Sequence, residues 1–132
     1  MRKIEHIGIA VNNIEEATKT YELLFNKKAY KEEEVASEGV KTVFFETGES
    51  KIELLGATSS SSPIAKYLEK KGEGIHHIAF AVDNINKEIK RLETEGFQLI
   101  NKEAKPGADQ KIIAFLHPKS NHGVLIELCQ DA

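Results

Sequence analysis

The chain carries two imperfect copies of one pattern. Residues 6–14, HIGIAVNNI, and residues 77–85, HIAFAVDNI, align without gaps and agree at six of nine positions. His77 follows His6 by 71 residues in a chain of 132. A second matched pair, KIELL with Glu53 and VLIEL with Glu127, lies 74 residues apart, so the second copy holds about three more residues between its histidine and its glutamate. Solenoids and propellers repeat at roughly 20–50 residues and need at least three copies to bury a core. Two copies at this spacing point instead to a duplicated module with pseudo-twofold symmetry.

Each copy reads as β-α-β-β-β. Residues 3–11 alternate, with Ile7, Ile9 and Val11 on one side and His6, Gly8 and Ala10 on the other, which is the period of a strand. Asn12 or Asn13 then caps a helix whose first turn carries Glu15 and Glu16, where the helix dipole favours acids. Ile14, Ala17, Tyr21, Leu24 and Phe25 form its apolar stripe. Strands follow at 28–35, 40–47 and 50–55, with Ser37–Glu38–Gly39 as a turn. The second copy predicts a strand at 75–82, a helix over 84–95 closed by Gly96, and strands at 97–104, 110–116 and 123–129. The extra residues fall at His117–Asn121. Between the copies, Ser62 caps and Pro63 opens a linker helix that ends at Gly72; the serines before it read as a mobile loop. Neither half is expected to be large enough to close its own core. The expectation is therefore one α+β domain over 1–132: module one at about 1–56, a linker at about 57–73, module two at about 74–132, the eight strands forming a cupped mixed sheet with helices outside.

Composition excludes several classes of partner. Eighteen Lys and Arg against 21 Asp and Glu give a formal charge of −3, so the chain lacks the positive field that draws proteins to nucleic acid or anionic membrane. No apolar run approaches the roughly 18 residues a membrane helix needs, and the first residues pass straight into periodic structure rather than reading as a signal peptide. The single cysteine, Cys129, excludes an internal disulfide and a cysteine-based zinc site. A cytoplasmic setting is expected.

Strand parity gathers the polar residues. If Ile9, Val11, Phe80 and Val82 pack under helices, His6 and His77 face the opposite side, where only Gly and Ala accompany them. Ile52 and Leu54 flank Glu53, and Ile126 and Leu128 flank Glu127, so both glutamates share that open side. Two imidazoles and two carboxylates suit one divalent transition metal ion such as Co, Zn, Ni, Mn or Fe, and match poorly the all-oxygen shells of Ca or Mg. A lone strand histidine or glutamate is ordinarily a plain polar residue; recurrence of the pair in both copies is what singles out His6, Glu53, His77 and Glu127. His76 has the opposite parity and reads as structural. His117 and His122 read as surface residues and Cys129 as a small wall residue.

At these residues the chain resembles the vicinal oxygen chelate superfamily, which includes glyoxalases, bleomycin resistance proteins and extradiol dioxygenases. The resemblance runs through HIGIAVNNIEEA, SEGVKTVFFETGESKIELL, SPIAKYLEKKGEGIHHIAFAVDNI and FLHPKSNHGVLIEL. Within the superfamily it is most similar to the methylmalonyl-CoA epimerase family. The resemblance implies the glyoxalase-like fold, a homodimer, an acyl-CoA substrate and metal-dependent epimerisation at C2 through an enolate. It implies His6, Glu53, His77 and Glu127 as metal ligands, with Glu38 as one catalytic base and Glu127 as the other. Ser62, Pro63 and Lys66, at the start of the linker helix, are the expected contacts to the substrate's phosphate-bearing tail. Two other readings use the same scaffold: a lyase of the glyoxalase I type, and a non-enzymatic small-molecule binder. Four well-placed ligands argue against the binder.

Overall fold

The computed structural model describes residues 1–132. In chain order the elements are β1 (Lys3–Ala10), α1 (Ile14–Phe25), β2 (Lys31–Val35), β3 (Val40–Thr47), β4 (Ser50–Ala57), α2 (Pro63–Lys71), β5 (Gly74–Ala81), α3 (Ile85–Thr94), β6 (Lys105–Pro106), β7 (Lys111–Leu116) and β8 (Ile126–Asp131). The eight strands are hydrogen-bonded in the order β2-β3-β4-β1-β5-β8-β7-β6. The sheet is mixed: β5 and β8 run parallel, whereas β2–β3, β3–β4, β6–β7 and β7–β8 are antiparallel. Each copy of the repeat follows the same path, its first strand beside its fourth, then its third, then its second. No helix is long and apolar enough to cross a membrane.

Two compact units divide the chain, and their borders fall inside β1 and β5 rather than in the linker: Met1–His6 joins His77–Ala132, and Ile7–His76 forms the other. In Ile7–His76, the Asn13 side chain accepts from the Glu16 N–H at the start of α1, and Asn26 closes the helix in the left-handed conformation. Val11, Val43, Phe45 and Leu54 form a buried cluster with Ile9, Ile14, Ala17, Tyr21, Phe25 and Ile52 packed against it. Full burial of a side chain such as Phe45 or Leu54 stabilises by about 1.5–3 kcal/mol. Leu24, expected in this stripe, is 68% exposed; at 100° per residue it lies at the edge of the arc that Ile14, Ala17, Tyr21 and Phe25 occupy. Ser62 caps α2 by accepting from the Ala65 N–H, with Pro63 in the first turn and Gly72 at the end.

In the other unit, Asn84 caps α3 through the Lys87 N–H, and the helix buries Ile85, Ile89 and Leu92. These pack with Val82, Leu99, Ala114, Leu116 and Leu128, and with Ile112 and Ile126 at the margin. The strand expected at 97–104 does not form. There is a single bridge between Leu99 and Leu116, followed by the two-residue β6. The Asn101 side chain takes the Phe115 N–H that a further ladder bond would have used, and Pro106 has no N–H to offer. The strand expected at 123–129 begins only at Ile126, because Pro118–Asn121 forms a 3₁₀ turn ahead of it. That turn lies in the long connection where the sequence places its extra residues; the matching β3–β4 connection is the tight Gly48–Glu49.

Candidate metal centre

Strand parity gathers three side chains in one unit. Val82, Ile126 and Leu128 face the α3 cluster, so His77 on β5 and Glu127 on β8 project from the other side of their strands. The register sets Ala79, two residues past His77, opposite Glu127. His6 belongs to the same unit through the start of β1. All three are about 95% buried. His6 Nε2 lies 3.0 Å from His77 Nε2, Glu127 Oε1 lies 3.2 Å from His77 Nε2, and the same oxygen lies 3.6 Å from His6 Nε2. The Phe115 ring meets His77 edge-on at 5.8 Å and forms an apolar wall.

This donor set fits a metal ion. Ligand atoms bound at about 2.1 Å and set roughly 90–110° apart lie ~3.0–3.4 Å from one another, and the three observed separations bracket that range. Two nitrogens and an oxygen are the borderline donors that first-row divalent ions take. The anionic member is firmly ionised. Burial alone would push the Glu127 carboxyl up, but hydrogen bonding and charge from His6 and His77 outweigh it and bring the value to about 2.

One residue of this site has no signature in the sequence. Glu5 is 4% exposed, and its Oε1 lies 2.7 Å from His6 Nδ1. Alternation assigns neighbouring strand residues to opposite faces, so no pattern points to this pair. Cys129 is buried beside them, its Sγ within 4.8 Å of ligand atoms of Glu5 and His6 and its thiol directed at the Phe80 carbonyl at 3.6 Å.

The remaining candidates belong to the unit Ile7–His76. Glu53 is buried in β4, opposite Phe44. Glu38 sits at the end of the exposed 3₁₀ turn Ala36–Glu38, followed by Gly39 at φ +62°. That turn packs on the start of α2: a Cβ on Gly39 would come within 2.8 Å of Ser59 Oγ and Ser62 Cβ, and the Thr58 N–H donates to the Gly39 carbonyl. Glu38 and Ser62 are thus held on contiguous backbone. Pro63 and Lys66 lie on the exposed side of α2. His76, opposite in parity to His77, packs edge-on against Tyr67 at 4.7 Å. His122 is exposed, and His117 is a half-buried cap that accepts from the Lys119 N–H.

Comparison with known proteins points the same way. The family model of the Glyoxalase/Bleomycin resistance protein/Dioxygenase superfamily matches residues 5–115. The human mitochondrial methylmalonyl-CoA epimerase is 38% identical over 97% of this chain and 73% of its own length. The ethylmalonyl-CoA/methylmalonyl-CoA epimerase of Cereibacter sphaeroides is 36% identical over 97% of both chains. Among solved structures, a Streptomyces coelicolor methylmalonyl-CoA epimerase variant in complex with 2-nitronate-propionyl-CoA superposes with a TM-score of 0.93 at 31% identity, over 100% of this chain and 96% of that one. Fold and sequence agree: the chain belongs to the glyoxalase/bleomycin resistance/dioxygenase superfamily and, within it, to the methylmalonyl-CoA epimerases, which are isomerases.

Proposed function

We propose that this chain interconverts the R and S forms of methylmalonyl-CoA by removing and returning the C2 proton through an enolate. The observation that carries the reading is the buried convergence of His6, His77 and Glu127 in a chain that epimerases match over nearly its whole length. A divalent transition metal ion, held by these three and by Glu53, would supply Lewis-acid stabilisation of the negative charge that develops on the thioester oxygen. Glu53 is included because it holds in β4 the place that Glu127 holds in β8.

Glu38 removes the proton from one side of C2, and the family resemblance makes Glu127 the acid–base group on the other. A carboxyl at about 2 is a weak base, so of the two roles given to Glu127 the ligand role has the stronger physical support. Ser62, Pro63 and Lys66 receive the substrate's anionic tail: the first turn of α2 offers N–H groups and the positive end of its dipole, and Lys66 adds a charge. The same reading takes residues 1–132 as one functional domain, acting as a homodimer in the cytoplasm on an acyl-CoA.

The test is incubation with methylmalonyl-CoA in deuterated buffer. Exchange of the C2 proton, lost on removal of metal and restored by its return, is the expected result. Absence of exchange, with turnover of a thiol adduct of methylglyoxal instead, would replace this reading by the glyoxalase I type.

A further inference from the structure

We infer that Glu5 is a positioning residue for the metal centre, acting through His6; the inference rests on the reading of His6 as a ligand. Glu5 and His6 are both buried, and the carboxylate oxygen lies 2.7 Å from Nδ1. A carboxylate only accepts hydrogen bonds, so the proton of this contact belongs to Nδ1. Once His6 has given up its Nε2 proton, as a metal ligand must, the ring is fixed in the tautomer whose lone pair is on Nε2, the nitrogen that faces His77 and Glu127. The carboxylate also holds the ring plane and strengthens Nε2 as a donor, the arrangement that metal-binding imidazoles generally share.

The surroundings suit a charged acceptor. Glu5 lines a cavity of about 100 Å3 together with Arg2, Lys3, Lys111, Cys129 and Asp131. Arg2 pairs with Asp83 at 2.8 Å and Lys111 pairs with Asp131, so these two basic groups are themselves anchored around the cavity. The repeat isolates the feature: counting 71 residues on from Glu5 reaches His76, which packs on Tyr67. The ligand histidine recurs in both copies, but the residue before it differs in both chemistry and contact.

Zinc binding to the full-length metal-free protein, measured by competition with a chromophoric chelator, tests this alongside long-range 1H–15N NMR of the His6 ring. Glu5→Gln keeps shape and an acceptor but loses the charge, and zinc affinity should fall about tenfold; Glu5→Leu removes the acceptor and should cost nearer 100-fold. The Leu variant should also shift the His6 ring proton from Nδ1 toward Nε2. Affinities within twofold of wild type in both variants would overturn the inference, as would an unmoved tautomer in a folded Glu5→Leu protein. If Glu5→Leu fails to fold, the affinity of Glu5→Gln decides alone. Failure of the underlying reading looks different: wild type itself would bind no zinc, or would bind it equally well after His77→Ala.

Discussion

The helices α1 and α3 occupy equivalent places in the two copies, yet they are buried differently. α3 buries Ile85, Ile89 and Leu92 fully, whereas no residue of α1 is fully buried and Leu23 and Leu24 are largely exposed. The second strands of the two copies differ too. β2 is a five-residue strand paired with β3, while its counterpart β6 has two residues and is preceded by irregular chain. Against that divergence the polar face has kept its pattern, His6 matching His77 and Glu53 matching Glu127. A packing surface can be rebuilt from many apolar combinations so long as volume is conserved. A ligand set cannot, because each donor must present a particular atom. Duplication has therefore left the chemistry recognisable while the cores and edges drifted apart.

The largest effect is expected at the turn between the second and third strands of each copy. Glu38 lies one residue before Gly39, and Asp109, 71 residues on, occupies the matching turn with φ +57°. Glu38→Gln should slow C2 proton exchange by about 100- to 10,000-fold, the usual worth of a general base, with zinc content unchanged. Asp109→Asn should leave exchange near wild type. Equal losses would mean that these acids serve the fold, and full activity in Glu38→Gln would remove it from the mechanism.

Next comes the His76–His77 pair, two adjacent histidines on opposite faces of β5. Loss of a ligand should exceed the roughly 10- to 100-fold cost of losing a ligand's partner, so His77→Ala should weaken zinc binding by more than about 100-fold. His76→Ala should change it less than twofold, at a cost of about 0.5–1.5 kcal/mol in stability from the lost ring contact with Tyr67. Elemental analysis with thermal melts separates the two effects.

Acid should reveal Glu127 in the metal-free protein. Its carboxyl stands at about 2, below the ordinary 4.5. A group depressed in the folded state contributes stability that is fully present above its unfolded value and is lost as pH falls through the folded value. The melting temperature of metal-free wild type should thus drop more steeply between about pH 5 and 2 than that of Glu127→Gln. Parallel curves would show that His6 and His77 do not hold the carboxylate. The smallest effect separates the helices: Leu92→Ala in α3 should cost about 2–5 kcal/mol, and Leu24→Ala in α1 less than about 0.5 kcal/mol, both read from denaturant midpoints.

Much of this molecule is determined by short-range pattern. Alternation along residues 3–11, 74–82, 50–57 and 126–131 sets which side chains share a face, because side-chain direction in a strand repeats every two residues whatever the neighbours are. Asn13, Ser62 and Asn84 mark helix starts because a cap is satisfied within three residues. The candidate ligands were legible for a further reason: the repeat supplies two independent readings of one site.

Other features were decided only in three dimensions. Whether residues 97–104 form a strand depends on the Asn101 side chain reaching Phe115, 14 residues away. The exposure of Leu24 depends on how wide an arc of α1 the sheet covers. The Glu5–His6 contact runs against alternation, joining adjacent residues that period two would separate, and it closes only within the burial that tertiary packing provides. Local geometry propagates along a chain by covalent constraint and can be read from it. Contacts between side chains distant in sequence, or turned against their strand's own period, depend on register and packing, which the chain acquires only when it folds.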